Sequence, residues 1–261
     1  MARQDIAVSE EAARELVLTH SPLVRVLTQV KWPRFADFDL TATAAGLGKL
    51  ISAAFPLVEQ APEMEITFTP DGAQQQASGV LHKFTSIDNS WAVTLGGTFL
   101  AIETSAYTSH EDFIERLRVV TTALASVAEI RVWDRLGYRY TNRLTEEDDL
   151  ANLNEYFDTA VLGSAALDIP HGLVHSITES VFEADGSRLL VRSAFLPPRG
   201  TIDPTIPVSE GKSWYLDLDA FREIRTPFSP ESLTETATQL ARTAYTYFRE
   251  VITDEFKRRF A

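Results

Sequence analysis

The stretch Trp133-Asp134-Arg135-Leu136-Gly137-Tyr138-Arg139-Tyr140-Thr141-Asn142-Arg143-Leu144 has the clearest pattern in the chain. Its residues alternate with a period of two, which is the repeat of a β-strand. One face carries Leu136, Tyr138, Tyr140, Asn142 and Leu144, and the other carries Arg135, Gly137, Arg139, Thr141 and Arg143. We expect this strand to open the second of two similar halves.

The composition is that of an acidic globular protein. Of its 261 residues 44% are hydrophobic and 23% are charged, and the formal net charge is −13. The chain has no cysteine, which excludes disulfides and thiolate sites. It shows neither a membrane span nor a secretory signal pattern, so we expect a cytoplasmic protein without membrane contact. The charge serves solubility or favours a basic protein partner, and it disfavours nucleic acid without excluding it.

The first half, residues 1–130, contains signals for both helices and strands. Ser9-Glu10-Glu11 predicts a short helix to about residue 18, and Ser109 predicts the cap of a long helix. Gly96-Gly97 predicts a β-bulge inside a strand. The remaining patterns predict strands at 23–32, 64–69, 79–87 and 91–104 and a helix at 41–55.

The second half, residues 131–261, repeats this order of elements. Thr145-Glu146-Glu147-Asp148 resembles a capping box and predicts a helix that extends to about Val161. Strands are predicted at 173–182, 188–196 and 213–221, and Ser229-Pro230 predicts the start of the last helix. Residues 197–212 form a loop whose length suggests a functional element.

The two halves indicate a tandem duplication with the boundary near residue 130. The dipeptide Ser90-Trp91 and the dipeptide Ser213-Trp214 each precede a phenylalanine and a long helix, which supports the repeat. We therefore predict an α+β fold with antiparallel sheets and helices on one face. Its topology is analogous to that of the TATA-binding protein, and such an analogy carries no function.

The chain also resembles a known family. The motif Arg135-Leu136-Gly137-Tyr138-Arg139-Tyr140-Thr141-Asn142-Arg143-Leu144 occurs with an early Ser-Pro-Leu-Val strand and a late helix near Phe248. Together they look like a sporadically distributed bacterial family of about this length, whose members mostly have no known function. The resemblance covers nearly the whole chain and implies no catalytic residues.

The row Arg135, Arg139 and Arg143 has two interpretations. Arginine binds phosphate or carboxylate with two parallel hydrogen bonds, which favours a ligand site. Pairing with acids on neighbouring strands is the interpretation we favour, because such pairs are common across sheets. The candidate partners are Asp217, Asp219 and Glu179.

Other polar residues offer weaker signals. Asn142 lies on the apolar face and is expected to have a structural role. Asp217 and Asp219 share a strand face and resemble a cation or acid–base pair, but this spacing is common. His171 and His175 would stand roughly 13 Å apart on a strand, too far to share a metal. We predict no metal and no cofactor.

Three functions remain open from the sequence. The leading hypothesis is a non-catalytic module that docks a protein partner, as an accessory or antitoxin-like component of a bacterial defence or toxin system. The second is a nucleic-acid binder that uses the sheet face, with Arg139, Arg143, Tyr138 and Trp214 as the candidate contacts. The third is an enzyme that uses Asp217 and Asp219 in a pocket between sheet and helices. The binding candidates are Arg135, Arg139, Arg143, Tyr138, Trp214, Asp217 and Asp219, and an exposed sheet edge would also permit a homodimer.

Overall fold

The computed structural model describes residue 16 and residues 18–69, 72–167 and 172–261, with the backbone alone for 64–69, 72–78 and 184. The helix predicted from Ser9 lies almost entirely outside these residues. Pro70-Asp71-Gly72 is a sequence typical of a tight turn, but Pro70 and Asp71 lie outside the described residues, as does His171.

The described residues form one antiparallel sheet with helices packed against it, so the predicted α+β class is confirmed. The strands are β1 (Leu23–Lys31), β2 (Leu57–Thr69), β3 (Gly72–Thr85), β4 (Trp91–Leu95), β5 (Phe99–Thr104), β6 (Val132–Leu144), β7 (Ser176–Ala184), β8 (Ser187–Leu196) and β9 (Ser213–Pro227). The helices are α1 (Leu40–Ile51), α2 (His110–Val127), α3 (Glu147–Ala151), α4 (Leu153–Tyr156), α5 (Thr159–Leu162), α6 (Pro230–Val251) and α7 (Asp254–Phe260), with a 3-10 turn at Gly163–Ala166. Within the described ranges, no helix combines the length and apolarity that crossing a bilayer requires.

The strand order is β2-β3-β4-β5-β1-β6-β9-β8-β7. The first strands of the two halves, β1 and β6, pair antiparallel in the middle, with Val26 opposite Tyr140 and Val30 opposite Leu136. From this seam each half extends outwards in reverse order, and the second half has one strand fewer. The halves therefore join edge to edge, and β1 and β6 lie next to each other in the middle of the sheet.

The helices cover the apolar face of β6, which we call the covered face of the sheet. Leu136 and Tyr138 have no exposed surface there and pack with the buried side of α2 and α6. Both long helices begin where the sequence predicted. The hydroxyl of Ser109 accepts from Asp112 N, and that of Ser229 accepts from Ser232 N, each at 3.1 Å.

The strand predicted over 91–104 is wrong, because it folds into two strands. Gly96 and Gly97 begin the turn between β4 and β5, and Gly96 N–H donates to Phe99 O at 2.9 Å. The two glycines therefore form a turn and not a bulge. Trp91 consequently lies two strands away from β1, whereas Trp214 lies in β9, which pairs directly with β6. The two Ser-Trp dipeptides do not occupy equivalent positions.

The helix predicted from Thr145 is also wrong, since the segment breaks into α3, α4, α5 and the 3-10 turn. The N-cap position falls at Glu146, which makes no side-chain capping bond. Tertiary contacts cause the breaks: Phe157 forms a β-bridge with Ile252, and Asp158 N donates to Val251 O at 2.8 Å. These contacts with the end of α6 outweigh the local preference of the segment for one continuous helix.

Candidate functional site

The face of the sheet opposite the helices, which we call the open face, carries the arginine row and the acidic pair. Register explains why the two sets meet. Thr141 stands opposite Asp217 and Arg139 opposite Asp219, so these side chains project on the same side. Arg25 of β1 joins them because it stands opposite Thr141 on the other flank of β6. The expected pairing is thus found for Arg135 with Asp219 and for Arg139 with Asp217. Glu179, the third candidate partner, pairs instead with Arg192.

Seven side chains of alternating sign cross the open face from β5 to β7, and we call them the charge row. In spatial order they are Glu103, Arg25, Asp203, Arg139, Asp217, Arg192 and Glu179. The successive nitrogen–oxygen distances are 2.5, 3.1, 2.8, 2.6, 3.9 and 2.6 Å. The charge row connects both halves and is neutralised largely from within.

The centre of the charge row is the pair of Arg139 and Asp217. The guanidinium binds the carboxylate at two points, Nε to Oδ1 at 2.6 Å and Nη2 to Oδ2 at 3.0 Å. Asp217 is only 1% exposed and also accepts from the Thr141 hydroxyl at 2.9 Å. Burial acts to lower the pKa of Arg139, but the hydrogen bond to Asp217 and the nearby carboxylates outweigh it and raise that pKa.

Asp203 attaches the loop of residues 197–212 to the open face. Its Oδ2 accepts from Nη1 of Arg25 at 3.1 Å and from Nη1 of Arg139 at 2.8 Å. Burial acts to raise the pKa of Asp203, but hydrogen bonds from Thr205 and the two guanidinium charges outweigh burial and lower it. The loop predicted as a functional element therefore bridges the first strands of both halves.

The remaining contacts of this loop are partly apolar. Ile202 packs against a small cluster on the open face formed by Ala194, Leu196 and Tyr215. Arg143, the last member of the arginine row, donates from Nη1 to Pro207 O at 2.5 Å. Arg143 thus holds the loop, and among the residues that the structure describes it forms no ion pair with an acid of a neighbouring strand.

Arg135 pairs with Asp219, at 3.0 Å from Nη2 to Oδ2, and its guanidinium lies 4.7 Å from the Phe221 ring centre. Gly137 makes room for this arrangement, because a Cβ there would stand 2.9 Å from Arg135 Nη1. Burial raises the pKa of Asp219, although Arg135 and Arg139 oppose that shift. A concavity of about 530 Å³ lies beside the pair and includes Lys31 in its lining.

Two predicted binding residues do not belong to this face. Tyr138 and Trp214 are 0% and 1% exposed on the covered face. Tyr138 packs 5.2 Å from Phe113 and Trp214 packs 4.3 Å from Phe157, measured between ring centres. The prediction of one surface shared with Arg139 is wrong for both, because the covered-face positions point away from the arginines.

The amide of Asn142 is buried, and its Nδ2 donates to Leu216 O at 3.3 Å, which agrees with a structural role. Among the described residues, no group of three or more histidine, aspartate or glutamate side chains is placed to hold a metal ion. The predictions that concern metals and cofactors stay predictions.

Sequence reasoning missed Asp203 and Arg25 as members of the cluster. Arg25 is recognisable only as a polar-face residue of β1, and Asp203 is one acid in an irregular loop. Neither position has a local signal, because Asp203 contacts Arg25 and Arg139 across 178 and 64 residues of sequence. A comparison of the chain with known families, with curated proteins and with solved structures returns no match.

Proposed function

We propose that the protein is a non-catalytic cytoplasmic binding module that docks a partner protein on the open face of its sheet. One observation carries this proposal: helices cover one face of a broad sheet, while the opposite face is left to the charge row and one loop. A face of this size with internally paired charges suits contact with another folded surface.

Aliphatic side chains flank the charge row on the β7 side. Ile177 and Val181 are 54% and 59% exposed, and they stand opposite Ala194 and Leu190 on the open face. These exposed apolar side chains beside Arg192 provide surface that a folded partner would remove from water on docking. The apolar groups supply affinity, and the charge row supplies orientation.

The same geometry disfavours nucleic acid as the partner. Binding to a phosphate backbone depends on free cations that displace counterions. Arg25, Arg139 and Arg192 each lie within salt-bridge distance of two carboxylates. The formal net charge of −13 adds long-range repulsion.

The resemblance to a sporadically distributed bacterial family extends the proposal. An accessory or antitoxin-like component of a defence or toxin system is a protein whose task is to hold another protein. An open face whose arginines and carboxylates are paired with one another fits that task. The crosslinking experiment described next is designed to identify the partner.

The test is site-specific photo-crosslinking in native cells with p-benzoylphenylalanine at position 181. Position 119 is the matched control, because Val119 is 47% exposed on the outer side of α2. We expect one protein to crosslink from position 181 and not from position 119. With that protein purified, Val181→Glu should weaken binding about tenfold and Val119→Glu should not. Crosslinks to nucleic acid, equal capture from both positions, or no capture would each contradict the proposal.

A further inference from the structure

Among the described strands, β2 and β7 form the two edges of the sheet, and they differ in how they are protected. β2 carries Pro62, which lacks a backbone N–H, and its register with β3 shifts between Glu63 and Met64. Proline and bulges are devices by which natural sheets prevent an edge strand from pairing with another chain. β7 contains no proline and no lysine, and it pairs with β8 in an unbroken register over all 9 of its residues. β7 is therefore an edge to which a further strand can add.

The apolar side chains of β7 also favour such an addition. Ile177, Val181 and Phe182 are 54%, 59% and 48% exposed. β-Branched and aromatic residues suit strands, and an edge strand with exposed apolar residues is a site where chains pair. An added strand would remove part of this apolar surface from water and would bond with the backbone groups that point outwards from the edge.

The two glutamates of β7 are held towards the interior of the sheet. Glu179 pairs with Arg192 at 2.6 Å and Glu183 pairs with Arg188 at 2.9 Å, and both arginines belong to β8. The carboxylates are thus drawn away from the outer edge and are neutralised locally. Local neutralisation lowers the repulsion at this edge in a chain whose formal net charge is −13.

The charges of β7 are compatible with pairing to a second copy of β7. With a two-fold axis through Ser180, perpendicular to the sheet, the whole strand pairs antiparallel and the covered faces of both copies lie on one side. In this register Glu179 stands opposite Val181 of the second copy, and Glu183 stands opposite Ile177 of the second copy. An axis through residue 179 or residue 181 would place glutamate opposite glutamate, which is destabilising. The full-length register is therefore favoured over both of its neighbours.

We propose that the protein forms a dimer by antiparallel pairing of β7 with β7 of a second copy, centred on Ser180. The sheet then continues across the two-fold axis, and the two open faces become one surface. One pair of strands buries less area than a standard interface, so we expect a dissociation constant of about 10–100 µM. Higher salt should tighten the dimer, because it screens the repulsion between two acidic chains. The pairing involves this chain alone and does not rest on the docking function.

Sedimentation equilibrium of the purified full chain between about 5 and 500 µM tests the association. Charges at position 177 test the contact with Glu183 of the second copy. Ile177→Glu places a like charge there and Ile177→Lys an opposite one, so the lysine variant should dimerise at least about tenfold more tightly than the glutamate variant. The matched controls are Val119→Glu and Val119→Lys on the outer side of α2, which change the net charge equally. Their dimerisation should differ by less than about threefold.

A single cysteine tests the register, because the chain has none of its own. Ser180→Cys brings two sulfurs within disulfide reach, since opposite residues of an antiparallel pair have Cα atoms about 4.5–5.5 Å apart. In the matched control Ser176→Cys, the two cysteines would stand roughly 26 Å apart by strand rise. We expect mild oxidation to link Ser180→Cys and not Ser176→Cys. A chain that stays monomeric up to about 500 µM, equal dimerisation of both variants at position 177, or equal linking of both cysteine variants would overturn the proposal.

Discussion

The two faces of β6 carry different kinds of side chain at adjacent positions: apolar and aromatic groups on one face and charged groups on the other. Tyr138 points to the covered face and packs among rings, whereas Arg139 points to the open face and bonds with Asp203 and Asp217. On the covered face stability comes from apolar surface removed from water. On the open face each ion pair offsets much of the cost of taking its own charges out of water.

The two faces therefore differ in what they contribute to the fold. The stabilisation from apolar packing on the covered face depends little on the exact orientation of each side chain, because the hydrophobic effect is non-directional. The charge row is directional, since each guanidinium must meet its carboxylates in the correct register. The covered face therefore supplies most of the folding free energy, and the open face specifies where the loop and the strands lie.

The largest expected effect is on the covered face. Leu136→Ala removes a fully buried side chain at the seam and should lower the free energy of unfolding by about 4 kcal/mol. Leu27→Ala is the matched control, because Leu27 is partly exposed on the open face beside Arg139. We expect it to cost less than about 1.5 kcal/mol in urea denaturation. Equal losses would show that the two faces do not differ in burial energy.

The next effect concerns the centre of the charge row. Asp217→Asn leaves Arg139 with Asp203 as its remaining carboxylate and should cost about 2 kcal/mol of unfolding free energy. The double variant Arg139→Met/Asp217→Leu should recover most of that loss, because it removes both desolvated charges. Arg118→Met, which breaks an exposed pair on α2, should not change stability measurably. A double variant less stable than Asp217→Asn would show that the pair itself is strongly stabilising.

Asp203 and Asp219 predict opposite pH dependences. The folded-state pKa of Asp203 is lowered, so its stabilisation is present above the ordinary carboxyl pKa and is lost as pH falls through the folded value. That of Asp219 is raised, so its stabilisation is present below the ordinary pKa and is lost as pH rises through the folded value. As pH falls from about 7 to about 3, the unfolding free energy of the wild type should decrease relative to that of Asp203→Asn. Relative to that of Asp219→Asn it should increase over the same pH range. The measurement is the unfolding free energy of wild type and both variants as a function of pH, and parallel curves for the three proteins would contradict this prediction.

The smallest effect is expected at Gly137, where the end of the Arg135 side chain occupies the space that a Cβ would need. Gly137→Ala places a Cβ against the end of Arg135 and should move that side chain away from Asp219. The net change in stability should be below about 1 kcal/mol, since alanine also restricts the unfolded chain. The sharper readout is a double-mutant cycle, in which Arg135→Met has an effect in the parent and none in Gly137→Ala. An undiminished effect would mean that Arg135 reaches Asp219 by another route.

The amino-acid sequence by itself determined the local features of this protein. Period-two alternation assigned the two faces of β6, and serine caps located the starts of α2 and α6. It also named Asp217 and Asp219 as partners for the arginines, since opposite charges on neighbouring strands attract. Each of these depends on residues within a few positions of each other or on a simple sheet rule.

The tertiary structure alone decided the rest. The break after Thr145 depends on the pairing of Phe157 with Ile252, about a hundred residues away. Asp203 joins the charge row because the loop of residues 197–212 folds back over β1 and β6, where Asp203 meets Arg25 and Arg139. Such features come from contacts between elements, whose free energies exceed local preferences and leave no periodic signal in the chain.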